Sequence, residues 1–265
     1  MHLIPNKKIV TLLSILSLSA CGQASNFEDI EKSANRGDAL SQALLGEAYV
    51  NGEGVSQDYK KAFEWYSKAA KQGNVNAQNN LGALYANGHG VAEDDKQAFK
   101  WYNKAAEQGN AQAQNNLGAA YANGEGVIQD YKQAFEWYSK AAEQGNTDAQ
   151  KYLGFLYEDG NGVAQNYKKA FEWYSKAAEK GNTDAQYNLG RIYATGQGVN
   201  QDYKKAFEWY SKSAEQGNVD AQFTVGMMYH RGDGTAQNNE MAEIWLKKAA
   251  DNGHKDAISL FEDDQ

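Results

Sequence analysis

The chain has 265 residues and is acidic, with 34 Asp and Glu against 26 Lys and Arg and a formal net charge of −8. That balance argues against nucleic acid or a polybasic membrane contact and mildly favours a cationic partner. A single cysteine, Cys21, excludes an intramolecular disulfide and a cysteine zinc cluster. The only proline, Pro5, leaves everything after it free to be helical.

The first element in chain order is "MHLIPNKKIVTLLSILSLSAC". Lys7 and Lys8 precede an apolar run from Ile9 to Leu18 that is too short to span a bilayer and reads as an export signal over 1–20. Leu18-Ser19-Ala20-Cys21 resembles the lipobox of bacterial lipoproteins, which implies cleavage before Cys21 and a diacylglycerol on its thiol. Gly22 follows where aspartate would resemble an inner-membrane retention signal, so the outer membrane is the expected destination, facing the periplasm or the cell surface. A short lipidated linker is expected over 21–25, and contact with the membrane through the lipid alone.

From residue 26 to 265 the chain repeats itself. Trp65, Trp101, Trp137, Trp173, Trp209 and Trp245 are 36 residues apart, and Gly46, Gly82, Gly118, Gly154, Gly190 and Gly226 keep the same step. Self-similarity at this interval marks a repeat array. Six full units fit 38–73, 74–109, 110–145, 146–181, 182–217 and 218–253, with a half unit at each end.

Each unit reads as two antiparallel helices. In the second, Ala77, Leu81, Leu84 and Tyr85 fall on one helical face around Gly82, whose missing side chain admits the partner helix. The loop "NGHGV" ends that helix at Gly88. The second helix starts behind a capping residue, in turn Asp58, Asp94, Asp130, Asn166, Asp202 and Asn238. It is expected to bury Ala98, Trp101, Tyr102, Ala105 and Ala106, so that the Trp series, Trp137 included, lies in the core between stacked units.

The recurring pattern A-x-x-x-L-G-x-x-Y-x-x-G-x-G-V-x-x-D-Y-x-K-A-x-x-W-Y-x-K-A-A-x-x-G-N resembles the SEL-one-like repeat (SLR) family, relatives of the tetratricopeptide repeats. The resemblance covers nearly all of the chain after the signal. It implies an all-α, right-handed α/α superhelix of 36-residue helix-turn-helix repeats, and a role as an adaptor or scaffold in the bacterial envelope or at a host interface. Some bacterial relatives are cysteine-rich and linked to β-lactam binding or hydrolysis. No repeat here holds a cysteine, so that activity is not expected.

Other chemistry finds little support. "GEG", "GHG", "GNG" and "GQG" follow helices rather than strands, and no Gly-Lys-Ser/Thr comes after them, so they are turns and not phosphate loops. His2, His89, His230 and His254 lack metal-ligand spacing, and the carboxylates recur with the repeat. Neither catalytic residues nor a cofactor is expected.

Function should therefore sit where the copies differ. A second face of the first helix carries Asn76, Asn79, Ala83, Ala86 and Asn87 in one unit, then Gln112, Asn115, Ala119, Ala122 and Asn123 in the next. The same places later hold Asp148, Lys151, Phe155, Glu158 and Asp159; Asp184, Tyr187, Arg191, Ala194 and Thr195; and Asp220, Phe223, Met227, His230 and Arg231. Aromatic, Met and Arg side chains on an exposed stripe are typical binding anchors. Lys151, Phe155, Tyr187, Arg191, Phe223, Met227 and His230 are thus the expected contacts for a protein or peptide in a concave groove. For Phe223 and Met227 the alternative is packing beneath the terminal half unit with Leu260 and Phe261. The leading expectation is a non-enzymatic interaction scaffold. The alternatives are an immunity lipoprotein against a cationic toxin delivered to the periplasm and, from another class, a β-lactam-binding or hydrolysing enzyme.

Overall fold

The computed structural model describes residues 23–262. Cys21 and the signal segment lie outside the described residues, and no described helix is long and apolar enough to cross a membrane. The chain divides into two compact units, Met1–Asn146 and Thr147–Gln265. The first contains α1 (Gln23–Asn35), α2 (Ala39–Asn51), α3 (Tyr59–Lys71), α4 (Val75–Asn87), α5 (Asp95–Glu107), α6 (Ala111–Asn123) and α7 (Tyr131–Glu143). The second contains α8 (Thr147–Asp159), α9 (Tyr167–Glu179), α10 (Thr183–Thr195), α11 (Tyr203–Glu215), α12 (Val219–Arg231), α13 (Asn239–Asp251) and α14 (Lys255–Glu262). Helix α1 begins inside the stretch 21–25 expected as a linker. All described regular structure is helical, and within each unit consecutive helices pack pairwise into an α/α solenoid.

Local chemistry sets the helix ends. Each of α3, α5, α7, α9, α11 and α13 starts behind the capping residue expected from the sequence. The Asp130 Oδ1 atom, for instance, accepts the Lys132 N–H at 2.9 Å, which satisfies a donor that the helix itself leaves unpaired. The helices of the other set stop at left-handed glycines such as Gly88 and Gly124. The second loop glycine answers a tighter demand: a Cβ on Gly90 would collide with the backbone carbonyl of Tyr59, one repeat earlier.

The two helices of a repeat meet where the smallest side chain faces one of the largest. A Cβ on Gly46 would lie 2.8 Å from the Tyr66 ring, and one on Gly154 would lie 2.6 Å from the Tyr174 ring. Tyr66, Tyr138 and Tyr174 are fully buried. In the last repeat Leu246 takes the tyrosine's place against Gly226.

This corrects the expectation for the Trp series. Trp65, Trp101, Trp137, Trp173, Trp209 and Trp245 are only half-buried. Each packs one side on the solenoid and carries a lysine ammonium over its ring, Lys68 at 3.8 Å from the Trp65 centroid and Lys140 at 3.8 Å from that of Trp137. The adjacent tyrosine, not the tryptophan, is the residue sealed between helices.

A polar ladder missed in the sequence reading joins the repeats. Gln78 donates to the Ala70 carbonyl at 3.2 Å and accepts from Gln108 at 2.7 Å. Gln42, Gln114, Gln186 and Gln222 repeat the arrangement with Gln72, Gln144, Gln216 and Asn252. Burial of these amides is tolerated because both ends are hydrogen-bonded. Their signal was present as a glutamine at every 36-residue step from Gln42 to Gln222.

Candidate interaction surface

The face where the copies differ lies on α4 and α6 in the first unit and on α8, α10 and α12 in the second. On α4 and α6 it is neutral and largely closed. Asn79 is 0 % exposed, which overturns the expectation of an open, bland surface. Its amide donates to Asn80 Oδ1 at 3.1 Å and its Oδ1 accepts from Asn116 at 3.1 Å. Gln112 in turn donates to Asn116, and Asn80 donates to the Tyr66 hydroxyl. A chain of neutral amides thus stitches α4 to α6.

In the second unit the same positions carry charge and rings. Lys151 is 3 % exposed rather than open to a partner. Its Nζ lies 3.1 Å from Asp184 Oδ2, one repeat later, and 4.3 Å from the Tyr152 ring centroid. Burial works against its charge, but Tyr152, Asp184 and Asp148 outweigh it and raise its pKa.

Arg191 is also engaged internally. It pairs with Glu158 on α8, and its other amino group donates to Gln197 Oε1 at 3.5 Å. The Tyr174 hydroxyl donates to the second Glu158 oxygen at 2.9 Å. Burial opposes the guanidinium charge, and the hydrogen bond and charge of Glu158 prevail, raising its pKa. Burial first, and then Glu158, push the Tyr174 phenol well up. Because Lys151 and Arg191 already neutralise carboxylates of the same unit, neither offers a full positive charge to an anionic partner.

The ring side chains remain partly open. Phe155 meets Tyr174 edge-on at 5.5 Å, and Tyr187 lies 5.3 Å from Tyr210. Phe223 stacks on His254 of the terminal half repeat at 4.2 Å. Met227 and His230 line a pocket of about 270 Å³ with Leu246, Leu260 and Phe261. Phe223 and Met227 therefore pack against the terminal half repeat while each keeps part of its surface open. His230 and Arg231 stay exposed, as do Asp159, Asp184 and Asp220. Among the described residues no group of three or more His, Cys, Asp or Glu side chains gathers as a metal site would require.

Six consecutive stretches, 39–74, 75–110, 111–146, 147–182, 183–218 and 219–254, match the Sel1 repeat family. The chain belongs to the Sel1 repeat family. Each match begins one residue later than the unit drawn from the sequence, because a period sets spacing but not phase. The protein is 42% identical to a protective antigen present in uropathogenic Escherichia coli strains that displays an SLR fold, with a TM-score of 0.81. That match covers 89% of this chain and 50% of the antigen, so the chain spans half of that relative's length. A Sel1 repeat protein from Oxalobacter formigenes is 34% identical over 87% of this chain and 97% of its own, with a TM-score of 0.76. An immunity protein from Pseudomonas aeruginosa shares the fold at 22% identity, with a TM-score of 0.52 over 89% of this chain and 83% of its own. A search among curated proteins found no match. Sel1 repeat proteins are generally non-catalytic scaffolds that bind protein partners.

Proposed function

We propose that this Sel1 repeat protein is a lipid-anchored, non-enzymatic scaffold of the bacterial envelope that holds a protein or peptide on the variable face of its second unit. One observation carries the reading. Phe155, Tyr187, Phe223 and Met227 stand half-buried where α4 and α6 place alanine or a buried amide. Partly open aromatic and Met side chains are the usual anchors of an interface. The inward pairing of Lys151 and Arg191 leaves Asp159 and Asp220 among the exposed charges of that face, which suits a partner with basic residues.

The anchor and the outer-membrane location rest on Lys7, Lys8, the Ile9–Leu18 run and the lipobox at Cys21. Cys21→Ser should abolish palmitate labelling and membrane sedimentation, and normal labelling of the variant would remove the lipoprotein assignment. Affinity purification with the anchor intact supplies the partner. Tyr187→Ala should then weaken binding by about 2 kcal/mol, roughly thirtyfold, with a fall in melting temperature no larger than that of the half-buried Trp173→Ala. Loss confined to variants that melt early would make the stripe packing alone. An immunity role stands on the acidic surface, since the Pseudomonas likeness extends to the fold only. Recovery of a toxin as the partner would select it.

A further inference from the structure

Helix α14 is the only helix among the described residues whose first turn is capped by an imidazole. The corresponding helices α2, α4, α6, α10 and α12 start behind Asp38, Asn74, Asn110, Asn182 and Asn218, whose side-chain oxygens accept the backbone N–H three residues on. At α14 the same bond runs from the Ala257 N–H to His254 Nδ1 at 3.3 Å. A ring nitrogen accepts a hydrogen bond only while it carries no proton. This contact therefore requires the neutral ring with the proton on Nε2, and that nitrogen lies 3.6 Å from Asp220 Oδ1.

The ring is held firmly. It stacks almost parallel on Phe223, at 10°, and its side chain is 14 % exposed. The helix it caps has eight residues and little strength of its own. Leu260 and Phe261 of that helix share the pocket with Met227, His230 and Leu246.

We propose that His254 is a proton-controlled cap that decides whether α14 stays seated beside Met227 and Leu246. Protonation of Nδ1 replaces the acceptor with a second donor facing the Ala257 N–H. It also sets a positive charge at the positive end of the helix dipole. The surrounding elements carry Asp220 and Arg231 on α12, Glu240, Glu243, Lys247, Lys248 and Asp251 on α13, and Lys255 and Asp256 in the first turn of α14, and Asp220 makes the ion-pair contact with the ring. The Asp220 side chain is 68 % exposed, so solvent screens its charge, and its contact at Nε2 cannot restore the lost acceptor at Nδ1. Acidification through the range where histidines gain a proton thus loosens α14 and uncovers the apolar side chains beneath it.

Hydrogen exchange on the full chain tests this independently of any partner. Between about pH 7.5 and about pH 5.5, after correction for intrinsic rates, protection of the α14 amides should fall by roughly five- to tenfold while α12 and α13 keep theirs. His254→Asn, which installs the residue used at the equivalent caps, should hold protection constant across that range. His254→Ala should be loose at both pH values. His230→Asn, in the same pocket, should leave the response in place. Equal protection of the natural chain at both pH values, or the same loss in His254→Asn, would overturn the proposal.

Discussion

Between α4 and α6 the repeats are joined by a chain of neutral amides in which Gln112 donates to Asn116 and Asn116 donates to Asn79. Between α8 and α10 Lys151 and Asp184 pair in the places of Asn79 and Gln112, and Glu158 pairs with Arg191 in the places of Ala86 and Ala119. Yet the frame around these two seams is the same. Tyr66 and Tyr174 press on Gly46 and Gly154, and the glutamine ladder runs through each unit. The difference teaches that glycine, tyrosine and glutamine hold the stack. The seam residues are thereby released to change from amide to ion pair and ring. Variation at these positions costs little fold, which is what a scaffold needs to acquire a partner.

The largest expected effect tests the shared frame. Tyr66→Ala and Tyr174→Ala should each destabilise their unit by about 3–5 kcal/mol in denaturant unfolding. Trp65→Ala and Trp173→Ala should lose only about 1–2 kcal/mol, because half of each ring is already outside the core. Equal losses for the two residue types would break the assignment of tyrosine as the buried member. In an array such losses can uncouple neighbouring repeats before the chain unfolds, so probes in both units are needed.

Next comes the charged seam. Arg191→Ala leaves Glu158, whose side chain is 13 % exposed, without its cation and should lose about 2–3 kcal/mol. The double variant Glu158→Gln with Arg191→Met should recover most of that loss in a thermal melt, since it removes both charges together. No recovery would mean that the pair is required for more than mutual neutralisation.

The neutral seam should respond less. Asn79→Ala removes a donor to Asn80 and an acceptor from Asn116, for about 1–2 kcal/mol. Its loss should be insensitive to salt, whereas the effect of Arg191→Ala should shrink as salt is raised. A shared salt dependence would erase the contrast between the units. The smallest effect belongs to the lysine lids. Lys140→Ala and Lys176→Ala should each lose about 0.5–1 kcal/mol, alike in the two units.

Much of this fold was legible in the sequence. The 36-residue step, the helix pairs, the caps at Asp58 to Asn238 and the turn glycines follow from the sequence and recur in the structure. The surface was less legible. Asn79 looked like an open position because asparagine is usually exposed, and its burial depends on Asn116, which lies on another helix. Lys151 and Arg191 looked available because their partners, Asp184 and Glu158, sit 33 residues away in the chain.

What the sequence determined by itself is local: a cap and its N–H lie three residues apart, a turn glycine acts on its own backbone, and a repeat announces its own period. What only the tertiary structure decided is which neighbour each side chain meets. Trp173 and Tyr174 recur with the same period and differ by one residue, so periodicity ranks them equally. The packing of Tyr174 on Gly154 seals one, while Lys176 over its ring leaves the other half outside. The same holds for charge. Composition counts lysines and arginines, but contact across a repeat seam decides which of them remain free to meet a partner.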